Sequence, residues 1–184
     1  INNSDDWSDY FYSSYDLREL SGRKYSTQRN HINKFIRTYS NYEFIPISQD
    51  NINQVIEFLK EFYEKYDKTS QISIEDKAIT LDFFNNYFKY NLLGGIFKVE
   101  NKIVAISVGE IINDTLFVHI EKADREYQGA YQMINNQFAK YYGNNVTYIN
   151  REEDVGDEGL RKAKLMYNPI EILKKYIVEV KIWI

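Results

Sequence analysis

The 184-residue chain contains no cysteine, two prolines, eight glycines and two histidines. Without cysteine there is no disulfide, no thiolate nucleophile and no thiolate metal ligand. His31 and His119 alone cannot make a histidine-rich centre, so no metal is expected. No apolar run reaches the ~18–20 residues of a membrane span, and no signal peptide opens the chain. Both absences lead to the expectation of a cytoplasmic protein. A nucleotide P-loop and a Ser/His/Asp hydrolase pattern are also missing. The chain begins at Ile1, as a fragment of a longer protein would.

What is present is an ordinary globular composition, 43% hydrophobic and 27% charged, in a length that suits one domain. A net charge of −4 argues against general nucleic-acid binding, since phosphate affinity needs concentrated Lys and Arg. The exception is the segment 18–37, where Arg18, Arg23, Lys24, Arg29, Lys34 and Arg37 face a single acid, Glu19. That segment reads as a solvated helix face or a nucleic-acid contact.

Hydrophobic spacing predicts the elements. Residues 1–20 are polar and aromatic, with Trp7, Tyr10, Phe11 and Tyr12, and are expected to form a short helix or a docking arm. Helical spacing follows over 26–39 (Ile32, Phe35, Ile36, Tyr39) and, after an Asp50 cap, along Ile52, Val55, Ile56, Leu59, Phe62 and Tyr63. A further helix is expected over 74–90. Between the first two helices, 42–47 reads as a strand, with Pro46 marking an edge strand or a strand end. After Gly94-Gly95 the period becomes two, giving strands at 96–99, 103–112 and 115–120 with turns at 100–102 and 113–114. Then come a helix over 127–142, a strand at 146–149, a helix over 157–166 capped by Gly156-Asp157, an ambiguous 170–175 and a final strand over 176–184.

A three-strand meander followed by a helix and a strand makes 146–149 run parallel to 115–120 through a right-handed crossover. This is the layout of the GNAT-like N-acyltransferase fold, an α/β (α+β) domain with a central mixed sheet and helices on both faces. Ligands of open α/β sheets lie beyond the carboxyl ends of the strands. Those ends are expected to be followed by two charged segments, Glu121-Lys122-Ala123-Asp124-Arg125 and Asn150-Arg151-Glu152-Glu153-Asp154. A carboxylate there can act as general base, and a Lys or Arg can hold a phosphate or an oxyanion. The alternative is an ion-pair network tying the two loops together. Coenzyme-A-using members of this fold carry a glycine-rich loop before the following helix. Here Arg125-Glu126-Tyr127-Gln128-Gly129-Ala130 has one glycine, and Glu126 stands where Gln or Arg is usual. A carboxylate repels pyrophosphate, which weakens the coenzyme A reading. His119, alone in its strand, reads as structural.

The stretches 20–35 (with Gly22, Arg23, Lys24, Arg29, His31) and 149–164 (with Asn150, Arg151, Glu152, Asp154, Gly156, Gly159, Arg161, Lys164), together with Ile120-Glu121-Lys122-Ala123, Tyr127-Gln128-Gly129-Ala130-Tyr131 and Ile134-Asn135, resemble a bacterial domain-of-unknown-function family. That family is similar to the C-terminal domain of phosphatidylglycerol lysyltransferase. The resemblance implies a tandem pair of GNAT-like domains, with 41–184 the second and 1–40 an arm and basic helix leading from an upstream partner domain. It also implies transfer of an aminoacyl group from tRNA, or an acyl group from another donor such as acyl-coenzyme A, to an amine or hydroxyl.

The residues expected to carry that reaction are Glu121 or Glu152 as base, and Lys122, Arg151, Asn150, Arg161, Tyr131 and Asn135 as substrate contacts. Arg23, Lys24 and Arg29 are expected near tRNA. A non-catalytic, ligand-binding or structural half of a tandem protein is the alternative, as is a coenzyme-A-dependent N-acetyltransferase.

Overall fold

A computed structural model describes residues 2–3, 5–66 and 71–178. In chain order the elements are β1 (Asn2–Asn3), β2 (Asp9–Ser13), α1 (Ser14–Glu19), α2 (Ser26–Thr38), β3 (Tyr42–Pro46), α3 (Ile52–Tyr66), α4 (Gln71–Asn85), β4 (Leu93–Val99), β5 (Lys102–Ile112), β6 (Thr115–Ala123), α5 (Ala130–Tyr142), β7 (Tyr148–Asn150), α6 (Glu158–Leu165), β8 (Glu171–Leu173) and β9 (Tyr176–Ile177). The main sheet runs β3-β4-β5-β6-β7-β2-β8, and β1 pairs with β9 separately. The meander β4-β5-β6 is antiparallel and β6-β7 is parallel, as the crossover argument requires.

Alternation along the meander sends apolar side chains to both faces. Ile96, Ile106, Val108 and Ile120 pack under α3 and α4 with Val55, Leu59, Phe62 and Phe84. Phe97, Val99, Ala105 and Ala123 meet Phe35 of α2 and Met133 and Ile134 of α5 on the other face. The run 103–108 is buried throughout, as expected of a central strand covered on both sides. The edge position of β3, ending at Pro46, agrees with its sequence.

Several expectations are corrected. The first twenty residues are not a short helix or arm alone: β2 lies inside the sheet between β7 and β8, and α1 follows it. Tyr10 and Tyr12 point into the core, while Phe11 stacks on Tyr148 with ring centroids 4.8 Å apart. Because 10–12 are all aromatic, polar/apolar alternation could not reveal this strand. Asp50 lies in the turn before α3. It is Asn51 whose side chain accepts from Ser48 N (2.8 Å) and donates to Pro46 O (3.0 Å). The 74–90 helix ends at Asn85, and the chain then turns through Asn91 at φ 54. The ambiguous 170–175 contains β8, and of the final strand only β9 is seen; 179–184 lie outside the described residues.

The correction with most consequence is in β6, which extends to Ala123 and is bulged. Its register with β5 passes from Val108↔Ile120 to Gly109↔Val118, so His119 is an extra residue with no partner. Gly109 faces the bulge, and a Cβ there would sit 1.9 Å from Phe117 O. Gly109→Ala is expected to destabilise the protein by about 1–3 kcal/mol, the usual cost of overpacking. Urea unfolding measures it, and an unchanged midpoint would mean that the bulge tolerates a side chain.

Candidate active site

β6 and β7 pair only from Thr115↔Tyr148 to Phe117↔Asn150. Beyond that point β6 continues through 118–123, while the chain after β7 stays with β2: Arg151 N donates to Tyr10 O (3.0 Å) and Tyr10 N to Glu152 O (3.2 Å). The parallel strands therefore part at their carboxyl ends, where this class of sheet receives ligands. Two consecutive side chains cross the gap. Arg151 Nη2 donates to Glu121 Oε1 at 2.9 Å, and His119 Nδ1 lies 2.6 Å from Glu152 Oε1. Glu121 faces α5, where Asn135 Nδ2 donates to its Oε2 at 3.2 Å. The bulge turns His119 to the opposite face, with its ring 5.7 Å from that of Phe83 in α4. Each face of the sheet thus carries one bridge.

The two bridges differ in accessibility. The Glu121 and Arg151 side chains are 12% and 10% exposed. The guanidinium carbon lies 5.9 Å from the Tyr12 ring centroid and 5.0 Å from that of Tyr167. Burial opposes the charge of Arg151, but Glu121 beside it raises its pKa further. Around this carboxylate, Arg151 Nη1, Asn135 Oδ1 and Ser107 Oγ are buried without a hydrogen bond among the described residues. Ser107 is the cross-strand neighbour of Glu121.

The second bridge is more open: Glu152 is 32% exposed and Glu110, whose Oε1 is 3.1 Å from His119 Nε2, is 40% exposed. Burial alone would lower the His119 pKa. Glu152 and then Glu110 outweigh it and raise the value, so the ring tends to the imidazolium form.

The loop after β7 is strained and stapled. Glu152 and Val155 sit at φ 56 and φ 48, a region costly for side-chain-bearing residues. Asp154 is fully buried and accepts from Tyr10 OH (2.6 Å) and from Arg161 Nε and Nη2 (2.8 and 2.9 Å). Those Arg161 bonds, against burial, hold its carboxyl at about 2.

The expected site residues divide. Glu121, Arg151 and Asn135 come together on one face and Glu152 on the other. Asn150 is buried beneath the loop, donating to Asp9 (3.0 Å) and accepting from Glu152 N (2.8 Å). Tyr131, in the first turn of α5, is half-buried; burial pushes its phenol up, and it feels the charges of Glu121 and Arg125. Lys122 is not brought in: strand alternation turns it to the α3/α4 face, where it pairs with Asp76 at 2.7 Å. Arg161 is committed to Asp154 and to Asp6 (2.6 Å). Lys24 pairs with Asp16, Arg29 donates to the carbonyls of Leu20 and Gly22, and Arg23 is exposed. His119 and Glu110 were not anticipated at this place. A bulge leaves no mark in hydrophobic periodicity, so nothing in the sequence signalled that His119 turns toward two carboxylates.

The loop before α5, where coenzyme A would place its pyrophosphate, has several of its amides engaged within the protein. The amide of Arg125 donates to Tyr66 OH, that of Glu126 to Asp124 Oδ1, that of Tyr127 to Asp124 O and that of Ala130 to Tyr127 O. Gly129, at φ 94, packs against α2: a Cβ there would lie 2.8 Å from His31 O. Four amides of the loop are thus engaged while those of Gln128 and Gly129 have no partner among the described residues, and the carboxylate of Glu126 in the same loop repels a pyrophosphate.

Arg151→Met should destabilise the protein by about 3–5 kcal/mol by leaving Glu121 buried and unpaired. The double variant with Glu121→Gln should recover part of that loss in urea unfolding. Full loss in the double variant would mean that packing, not charge, dominates.

The pH profile has two limbs. The Asp154 pKa is lowered, so its contribution is present above the unfolded value of 3.8 and lost as pH falls toward about 2. The His119 pKa is raised, so its contribution is full below about 6.5 and lost as pH rises through the folded value. Asp154→Asn and His119→Gln should each flatten its own limb in thermal melts, and the other limb should remain.

Comparison with known proteins follows this geometry. The family model described as phosphatidylglycerol lysyltransferase, C-terminal, matches residues 2–179. A conserved protein of unknown function from Bacteroides thetaiotaomicron is 42% identical with a TM-score of 0.87, covering 94% of this chain and 59% of that one. L-PGS from Bacillus licheniformis is 16% identical with a TM-score of 0.60, covering 91% of this chain and 58% of that one. AAC(6')-Iy, solved with the bisubstrate analogue CoA-S-monomethyl-acetylneamine, is 8% identical with a TM-score of 0.51, covering 78% of this chain and all of that one. The last two likenesses show the fold, which is of the GNAT acetyltransferase type, and the chain spans less than two thirds of the first two proteins. In the described residues no helix is long and apolar enough to cross a membrane. With a match across nearly its whole length, the chain belongs to the phosphatidylglycerol lysyltransferase C-terminal family.

Proposed function

We propose that this domain transfers an aminoacyl group from tRNA, or an acyl group from a donor other than coenzyme A, to an amine or hydroxyl acceptor. Family and fold support a transferase of this kind. The observation that carries the finer reading is the pair of side-chain bridges across the β6–β7 splay, one buried and one half-open.

In this reading Glu152 takes the proton of the attacking amine or hydroxyl. His119 Nε2, turned from Glu110, gives its proton to the leaving oxygen of the donor ester while Nδ1–H stays on Glu152 across the 2.6 Å contact, and solvent then carries the proton taken up by Glu152 back to Nε2. The acceptor–acyl bond forms, the ester C–O bond breaks and the proton count balances. Arg151, on the other face of the sheet and paired with Glu121, anchors the loop that carries Glu152. Glu121, with both oxygens occupied by Arg151 and Asn135, positions the guanidinium and does not act as base. A tRNA donor would approach along α2 and the turn before it, where Lys34 and Arg37, and Arg23, are exposed. Such a donor places the protein in the cytoplasm, with an upstream domain of the same polypeptide as partner.

A second reading, in which the domain is a non-catalytic half of a tandem protein, draws on the closure of the Glu121–Arg151 and Asp154–Arg161 pairs. Discharge of radiolabelled aminoacyl-tRNA into lipid and small-amine fractions by the full-length protein separates the two. Glu152→Gln and His119→Asn should each slow discharge by about 10²–10⁴-fold. Unchanged rates in both variants would favour the non-catalytic reading.

A further inference from the structure

Lys164 lies on α6, outside every residue assigned a chemical role above, and is 5% exposed. Its ammonium donates to three consecutive backbone carbonyls, Arg151 O at 2.6 Å, Glu152 O at 3.1 Å and Glu153 O at 2.5 Å. An ammonium has three protons, so all of its donors converge on one short stretch of loop. Its own carbonyl accepts from Tyr12 OH at 2.9 Å, and the Tyr10 ring lies 5.6 Å from Nζ, which fixes the stem against β2.

The stretch it gathers is the one that bridges the splay, and the middle residue is Glu152, at φ 56. Three successive carbonyls do not turn toward one point in an extended strand, where they alternate in direction. Left-handed backbone at the central residue permits the convergence, and the convergence in turn offsets the cost of that backbone. With the peptide units fixed, Arg151 projects to Glu121 on one face and Glu152 to His119 on the other.

We infer that Lys164 is the positioning residue of the site: its ammonium holds Glu152 in left-handed backbone and thereby aims the Glu152 carboxylate at His119. The inference deepens the proposed transfer site and rests on it. The groups facing the ammonium are the charges of Arg151, Glu121, Glu152 and Glu153. Those facing the imidazole are Glu152 and Glu110, with Phe83 against the ring. Burial, and then the Arg151 charge, bring the Lys164 pKa down to about 8, so the clamp releases within a reachable pH range.

The test is an NMR titration of the imidazoles in the full-length protein with labelled histidine, using the His31 signal as internal control. In Lys164→Met the His119 midpoint should fall to the value measured in Glu152→Gln, and the double variant should fall no further than Glu152→Gln alone. A folded Lys164→Met protein with the wild-type His119 midpoint would overturn the inference. Should that variant not fold, the wild-type protein serves instead. As lysine-labelled Lys164 loses its proton, the amides of 152–154 should shift with the same midpoint, and amides that stay unmoved would also overturn it. This readout follows geometry and not turnover, so absence of transfer activity would count against the proposed function and leave the titration result standing.

Discussion

The architecture depends on one constraint: β6 and β7 are parallel neighbours that pair over three residues and then separate. Separation leaves backbone groups at the centre of a sheet in need of partners, and each side meets that need differently. The β7 side keeps its hydrogen bonds through Tyr10 of β2. The β6 side keeps its bonds to β5 by accommodating one extra residue, His119, opposite a glycine that leaves room for it. What closes the gap between the strands is then side-chain chemistry, and the residues available are an arginine and a glutamate in sequence. Because Arg151 and Glu152 project to opposite faces, the two bridges are mounted back to back on one loop.

That arrangement separates two electrostatic tasks. The Glu121–Arg151 pair is enclosed by tyrosine rings and by α5, where low local polarity strengthens attraction and penalises loss of either partner. Such a pair stays charged and stays in place. His119 lies between Glu152 and Glu110, whose side chains are 32% and 40% exposed, so this pair is the more open of the two. Around both lies a rigid support: Asp154 locked by Arg161 and Tyr10, and Lys164 under the loop carbonyls. In the sequence Arg161 reads as a substrate contact; in the structure its guanidinium pairs with Asp154 and Asp6.

How much of this could be read from the sequence follows from which signals are local. The meander, the crossover and the helices on both faces came from period-two and helical spacing, because those patterns are written by burial on one or both sides. The charged segments after the strands located Glu121, Arg151 and Glu152 near one another, since topology alone brings strand ends together. Lys122 points away from Glu121 and Arg151 because β6 is three residues longer than its apolar run 115–120, so ordinary alternation still governs its direction. β2 was hidden by three adjacent aromatics, and the pairing of His119 by a bulge whose only local trace is a glycine in the neighbouring strand. Lys164 reads as one more surface lysine of an amphipathic helix until the loop it supports is seen.

The most direct measurement is donor binding by the full-length protein, titrating charged tRNA, uncharged tRNA and acyl-coenzyme A under one set of salt conditions. Saturable binding that prefers charged tRNA, with no saturable binding of acyl-coenzyme A, is the predicted result, since four amides of the loop before α5 are engaged and Glu126 repels a pyrophosphate. Tight, saturable binding of acyl-coenzyme A would contradict it and would make the loop a functional phosphate site despite its internal bonds.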